Sequence, residues 1–130
     1  MSGMDDLVQF LRDRLAEDEQ AARRAGSSFR QIGETGVIVA TDGDRAEECA
    51  SANWSGIAEH IVRHDPARVL REVEAKRRLL TDYVENAADL DTQHAPDMDY
   101  VGRADGLETA LQHLATAYAD HPDYRDNWRP

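Results

Sequence analysis

The sequence predicts an α+β domain, with three main helices packed with a small two- or three-stranded antiparallel sheet. Three observations lead there. Apolar residues recur every three to four positions in three long stretches, the helical period. Between the first two the period changes, and a short β-branched run, "GVIVAT", is followed by the turn former Asp42-Gly43. Each helical stretch also has its own start or stop residue. At 130 residues the chain is expected to form a single acidic domain.

The first helix is expected over about 5–25. Leu7, Phe10, Leu11, Leu15 and Ala22 fall on one stripe, Asp5 or Asp6 caps the start, Arg23 and Arg24 sit in the last turn, and Gly26 ends it. The segment "SSFRQIGETGVIVATDGDRAEECASANW" then reads as two or three short strands in an antiparallel meander. A short helix starts at Ser55 and runs through Ile57, Ile61 and Val62. At Asp65-Pro66 the helix restarts, with Asp65 as N-cap and Pro66 in the first helical position.

This central helix is expected over 66–88. Val69, Leu70, Val73, Leu80 and Val84 make its buried stripe, and Glu72 with Lys76 and Glu74 with Arg78 are its i,i+4 pairs. Residues of about 89–105 lack a period and carry five aspartates, so a mobile loop is expected there. The last helix is expected over 106–119, on Leu107, Ala110, Leu111, Leu114 and Tyr118, until His121-Pro122 stops it. Tyr124 and Trp128 are then expected to dock the tail on the core.

Composition restricts the function classes. The net charge is −11, which would repel DNA, RNA and anionic membranes and attract a basic protein surface. Leu, Val, Ile and Phe together number 24, just under the ~20% level at which high net charge begins to favour disorder. The 19 alanines favour helix but bury little area. A small core follows, with surface that a partner or a second copy can cover. The single cysteine, Cys49, permits no intramolecular disulfide and suits a reducing cytoplasm. No signal-peptide run and no membrane-spanning run is present; Met4 is the expected natural start.

Few residues suggest chemistry. His60 and His64 are four apart, a spacing used for zinc, with Glu59 and Asp65 beside them. A zinc site needs three or four ligands, and His94, His113 and His121 are scattered; the restart at Pro66 would also turn the His64 ring away. Cys49 follows Glu47 and Glu48, which raise a thiol pKa rather than lower it, so a nucleophile is not expected. Nucleophile-elbow, dinucleotide and P-loop patterns are lacking. Charge, however, is uneven. Residues 60–80 form a +3 island between blocks of −6 and −8. Arg68, Arg71, Lys76, Arg77 and Arg78 within it are the candidate partner-binding residues, the plainer reading being pairing with acidic groups inside the fold.

Three blocks, "MDDLVQFLRDRLAEDEQAARRAG", "AEHIVRHDPARVLREVEAKRRLL" and "ATAYADHPDYRDNWRP", carry a resemblance. Together the chain resembles small uncharacterised proteins of Streptomyces and related actinobacteria, also met in their phages and mobile elements, a domain of unknown function. The resemblance implies no reaction and no catalytic residue. It implies an actinobacterial or phage origin and a natural end at Pro130. Relatives that carry cysteines before the last helix would hold a metal there; here that region reads "QHAPDMDYVGRADG", without cysteine.

The expectation is a non-enzymatic protein-interaction module in the cytoplasm, with no catalytic residue, metal or cofactor. Its partner is another protein or a second copy of itself, with no direct nucleic-acid or membrane binding. One alternative is an acidic nucleic-acid mimic that inhibits a DNA- or RNA-binding protein. Another is a small metal-dependent enzyme using His60 and His64.

Overall fold

The helix expected at 5–25 forms as α1, Gly3–Ala25, in the computed structural model, which describes residues 3–91 and 98–130. After it come β1 (Ser28–Gln31), β2 (Val37–Asp42), β3 (Arg45–Ser51), α2 (Ser55–Arg63), α3 (Pro66–Asp91) and α4 (Met98–Ala115), with short 3-10 turns at Thr116–Tyr118 and Asp126–Trp128. The α+β class is therefore the one the sequence predicts. The chain divides into two compact units: Ala16–Glu74, and Met1–Leu15 with Ala75–Pro130.

In the unit Ala16–Glu74, the strands form a meander of order β1-β2-β3, antiparallel throughout. Gly26, at φ +116°, ends α1 and lets the chain turn into the sheet. Gly43, at φ +62°, opens the two-residue turn from β2 to β3, the position a type II′ hairpin reserves for glycine. The β2–β3 ladder contains one bulge: Ile38 faces Ala50 and Val39 faces Glu48, so Cys49 is the extra residue. Helix α2 packs on β1 and β2, where Ile38 and Ala58 are fully buried.

The break between α2 and α3 is built on Asp65. Its carbonyl accepts the Val69 N–H at 3.0 Å, the first bond of α3. Its Oδ1 accepts the Arg68 N–H at 2.9 Å, which makes it the N-cap that Asp-Pro predicts. Its Oδ2 accepts the Phe29 N–H of β1 at 3.3 Å. β1 is an edge strand, so this carboxylate satisfies a donor the ladder leaves open.

In the other unit, Leu7, Val8, Phe10, Leu11 and Leu15 of α1 are buried, with Leu80, Tyr83, Leu111 and Ala115. Phe10 is the centre of a ring cluster: Trp128 lies 4.9 Å away, His121 5.6 Å, Tyr124 6.1 Å and Tyr118 6.2 Å between centroids. The tail thus docks as expected, with Trp128 only 5% exposed. Arg14, itself buried, stacks over Phe10 and donates through Nη1 to His121 Nδ1 at 3.2 Å, while Arg125 pairs with Asp6 at 2.9 Å. Among the described residues the buried Tyr124 Oη and Trp128 Nε1 have no hydrogen-bond partner, so these two side chains are held by ring packing.

Three expectations are corrected here. The first is the loop over 89–105: residues 89–91 end α3 and 98–105 begin α4, and the rest of that stretch lies outside the described residues. Val101 and Ala104 extend the period of Leu107 and Leu111 backward, but Gly102 and Gly106, each costing a helix about 1 kcal/mol, disguise it. The last helix also stops at Ala115 rather than 119, passing into a 3-10 turn. Second, Val84 is 38% exposed, and Tyr83 and Asn86 take the buried positions. From Leu80 the helical period offers i+3 or i+4, and Tyr83 reaches Glu108 (3.2 Å) while Asn86 reaches the Tyr100 carbonyl (3.3 Å). Third, Glu72 pairs with Arg68 at 3.0 Å rather than with Lys76. Arg68 is held there because its Nη1 also donates to the Arg63 carbonyl at the end of α2, 2.9 Å away.

Trp128→Ala is expected to lower unfolding free energy by about 3–5 kcal/mol, the cost of a large buried aromatic. Tyr124→Phe, which removes an unpartnered hydroxyl, is expected to leave stability unchanged or raised. Denaturant midpoints check both; a Trp128→Ala loss under about 1 kcal/mol would place the tail outside the core.

Candidate functional site

The surface with most to offer a ligand lies in the unit Ala16–Glu74, where β3 leads into α2. Trp54 is the N-cap residue of α2, in extended geometry and without a side-chain capping bond. Its carbonyl accepts the Ile57 N–H at 3.2 Å, which starts the helix. Its indole is 64% exposed. The Gln31 side chain, at the end of β1, donates to the carbonyls of Thr35 (2.7 Å) and Ser55 (3.2 Å). These bonds fasten the β1–β2 turn to the first residue of α2 and bring Ile32, 41% exposed, to the same end of the sheet. The Ala52 N–H bonds to the Gly36 carbonyl at 2.7 Å, fixing the chain just past β3.

β3 itself is exposed at all seven residues, Arg45 to Ser51. One edge pairs with β2. Among the described residues no hydrogen bond meets the other edge. Arg45 and Glu47 pair along the strand at 3.2 Å, and Glu48 has no ion-pair partner among the described residues. Apolar area thus lies beside backbone groups that the described residues leave unpaired.

The sequence candidates are placed as follows. His60 and His64 do come together, with ring centroids 4.5 Å apart. Pro66 does not turn the His64 ring away: its Nδ1–H donates to the His60 carbonyl at 2.8 Å, which draws the ring back over the last turn of α2. That bond leaves Nε2 as the free nitrogen. Two imidazoles are half a zinc shell, and no group of three or more ligand residues occurs among the described residues. Cys49 is exposed in the β3 bulge.

The five cations do not act as one face. Arg68 is committed to Glu72 and the Arg63 carbonyl, whereas Arg71, one turn on, is exposed. Lys76, Arg77 and Arg78 are consecutive, so a 100° step per residue fans them around the helix. Arg77 and Arg78 are exposed and both take part in polar contacts; Lys76 is half-buried. Sequence reasoning missed Trp54. Its only sequence signal is a large aromatic just ahead of a helix start, outside any apolar period, which does not reveal exposure.

A family model matches the chain over residues 4–130. The chain belongs to DUF6221, a family of unknown function. No curated protein and no solved structure matches this DUF6221 chain. Among its described residues no helix is long and apolar enough to cross a membrane.

Purified DUF6221 protein is expected to carry zinc well below one equivalent, with a melting temperature that chelator leaves unchanged. One equivalent of zinc, lost on His60→Ala or His64→Ala, would instead make the histidine pair part of a metal centre.

Proposed function

We propose that this DUF6221 chain is a protein-interaction module without catalytic chemistry of its own, and that Trp54 anchors its partner. One observation carries the reading. In the unit Ala16–Glu74 the buried apolar side chains are Ala22, Ile38, Ala58 and Val73, with Pro66 beside them, while the one tryptophan of that unit stays in solvent. A fold short of large apolar groups gains from burying an indole. Covering a large apolar side chain is worth about 1.5–3 kcal/mol, and tryptophan is among the commonest anchors at interfaces. Trp54 caps α2 through its backbone, and its indole makes no capping bond. Arg71 adds an exposed cation on the same unit, and the net charge of −11 steers basic partners.

A cytoplasmic setting in an actinobacterium or its phage belongs to the same proposal, on the single cysteine and on the resemblance of the three sequence blocks. The test is capture from such a lysate on immobilised wild-type protein and on Trp54→Ala, with bound proteins identified, purified and rebound singly. A partner that rebinds wild type and binds Trp54→Ala at least tenfold more weakly is expected, while circular dichroism of the two proteins matches. Equal binding to both would remove Trp54 from the interface, and no rebinding partner would remove the proposed function.

A further inference from the structure

We propose that the partner contributes an extended, basic segment that adds to the outer edge of β3 as a fourth strand. The inference rests on the protein-interaction reading and specifies its chemistry. The two-residue turn closes on Asp42 and Arg45, a pair that exchanges backbone bonds; alternation from there aims the N–H and C=O groups of Ala46 and Glu48 away from β2. The two sheet edges differ. On β1 the Phe29 N–H is taken by Asp65, whereas on β3 nothing among the described residues meets the outward groups. An open edge of this kind is a template for another strand, with the ladder giving affinity and the side chains giving selection.

Charge decides the occupant. Successive side chains of a strand point to opposite faces, so Glu47 and Glu48 put a carboxylate on each face of β3. Arg45 answers Glu47, and Glu48 is left without an ion partner among the described residues. A second copy would bring another −11 and the same two carboxylates, and like charges across a ladder destabilise it. A strand bearing Lys or Arg reverses that sign on both faces. Trp54, three residues past the end of β3, then offers its indole to whatever apolar side chain follows on the added segment.

The probe is a synthetic seven-residue peptide of sequence Val-Lys-Lys-Val-Lys-Lys-Val, whose adjacent lysines fall on opposite faces of a strand, with Val-Glu-Glu-Val-Glu-Glu-Val as control. Amide hydrogen exchange of the whole, unmodified protein is followed by NMR with and without each peptide. The lysine peptide is expected to protect the Ala46 and Glu48 amides and leave the β1 amides as they were; the glutamate peptide is expected to do neither. Glu47→Lys with Glu48→Lys is expected to weaken lysine-peptide binding by about tenfold. Ala46→Pro, which removes one outward N–H without touching the β2 ladder, is expected to weaken it without changing charge. Absence of binding, or binding that leaves Ala46 and Glu48 unprotected, overturns the inference. So does protection that grows with protein concentration alone, which would put a second copy on the edge. None of these outcomes touches the Trp54 capture experiment, so the added strand can fail while the protein-interaction reading stands.

Discussion

Asp65 does three jobs within the unit Ala16–Glu74, and the arrangement of that unit follows from them. Its carbonyl begins α3, one carboxylate oxygen caps that helix at Arg68, and the other holds the Phe29 N–H of β1. An ionised carboxylate suits all of this, because it accepts at both oxygens and sits at the positive end of a helix. Pro66 favours the break, because a proline disfavours helical geometry at the residue before it. With β1 held at the α2–α3 junction, the meander has one edge engaged and the other, β3, open. The exposed strand β3 lies at the opposite edge of the meander from that bond.

Local signals were legible in the sequence and non-local ones were not. Asp65-Pro66, Gly26 and Asp42-Gly43 act through their own backbone geometry, so each marked its boundary correctly. The second bond of Asp65 joins residues 36 apart in sequence, and no spacing rule could find it. The start of α4 was hidden by Gly102 and Gly106, which are poor helix formers tolerated because tertiary packing outweighs propensity. The choice of Tyr83 over Val84 turned on partners in α4, Glu108 for the phenol and Tyr100 for the neighbouring Asn86.

The candidate surface was less legible than the fold, for a physical reason. Charge can be counted along a chain, so the basic island at 60–80 was visible. Whether a charge is free depends on what folds beside it, and Arg68 is bound to Glu72 and to the end of α2. Exposure of Trp54 has the same origin. An indole at a helix start is buried or bare according to the elements around it, and here β1, β2 and α2 close their small core on Ile38 and Ala58 without it. The histidine pair shows the converse: residues four apart do meet, because a ring-to-carbonyl bond carries the spacing past the end of α2.

In this fold one carboxylate serves both helix and strand. Amide hydrogen exchange in Asp65→Ala, read at Arg68 and at Phe29, tests this most directly. Both amides are expected to lose protection together, with an unfolding free energy lower by about 0.5–2 kcal/mol from the lost cap and more from the unpartnered Phe29 N–H. A Phe29 amide that keeps its protection while Arg68 loses its own would show that β1 is held by something other than Asp65, and would contradict that shared role.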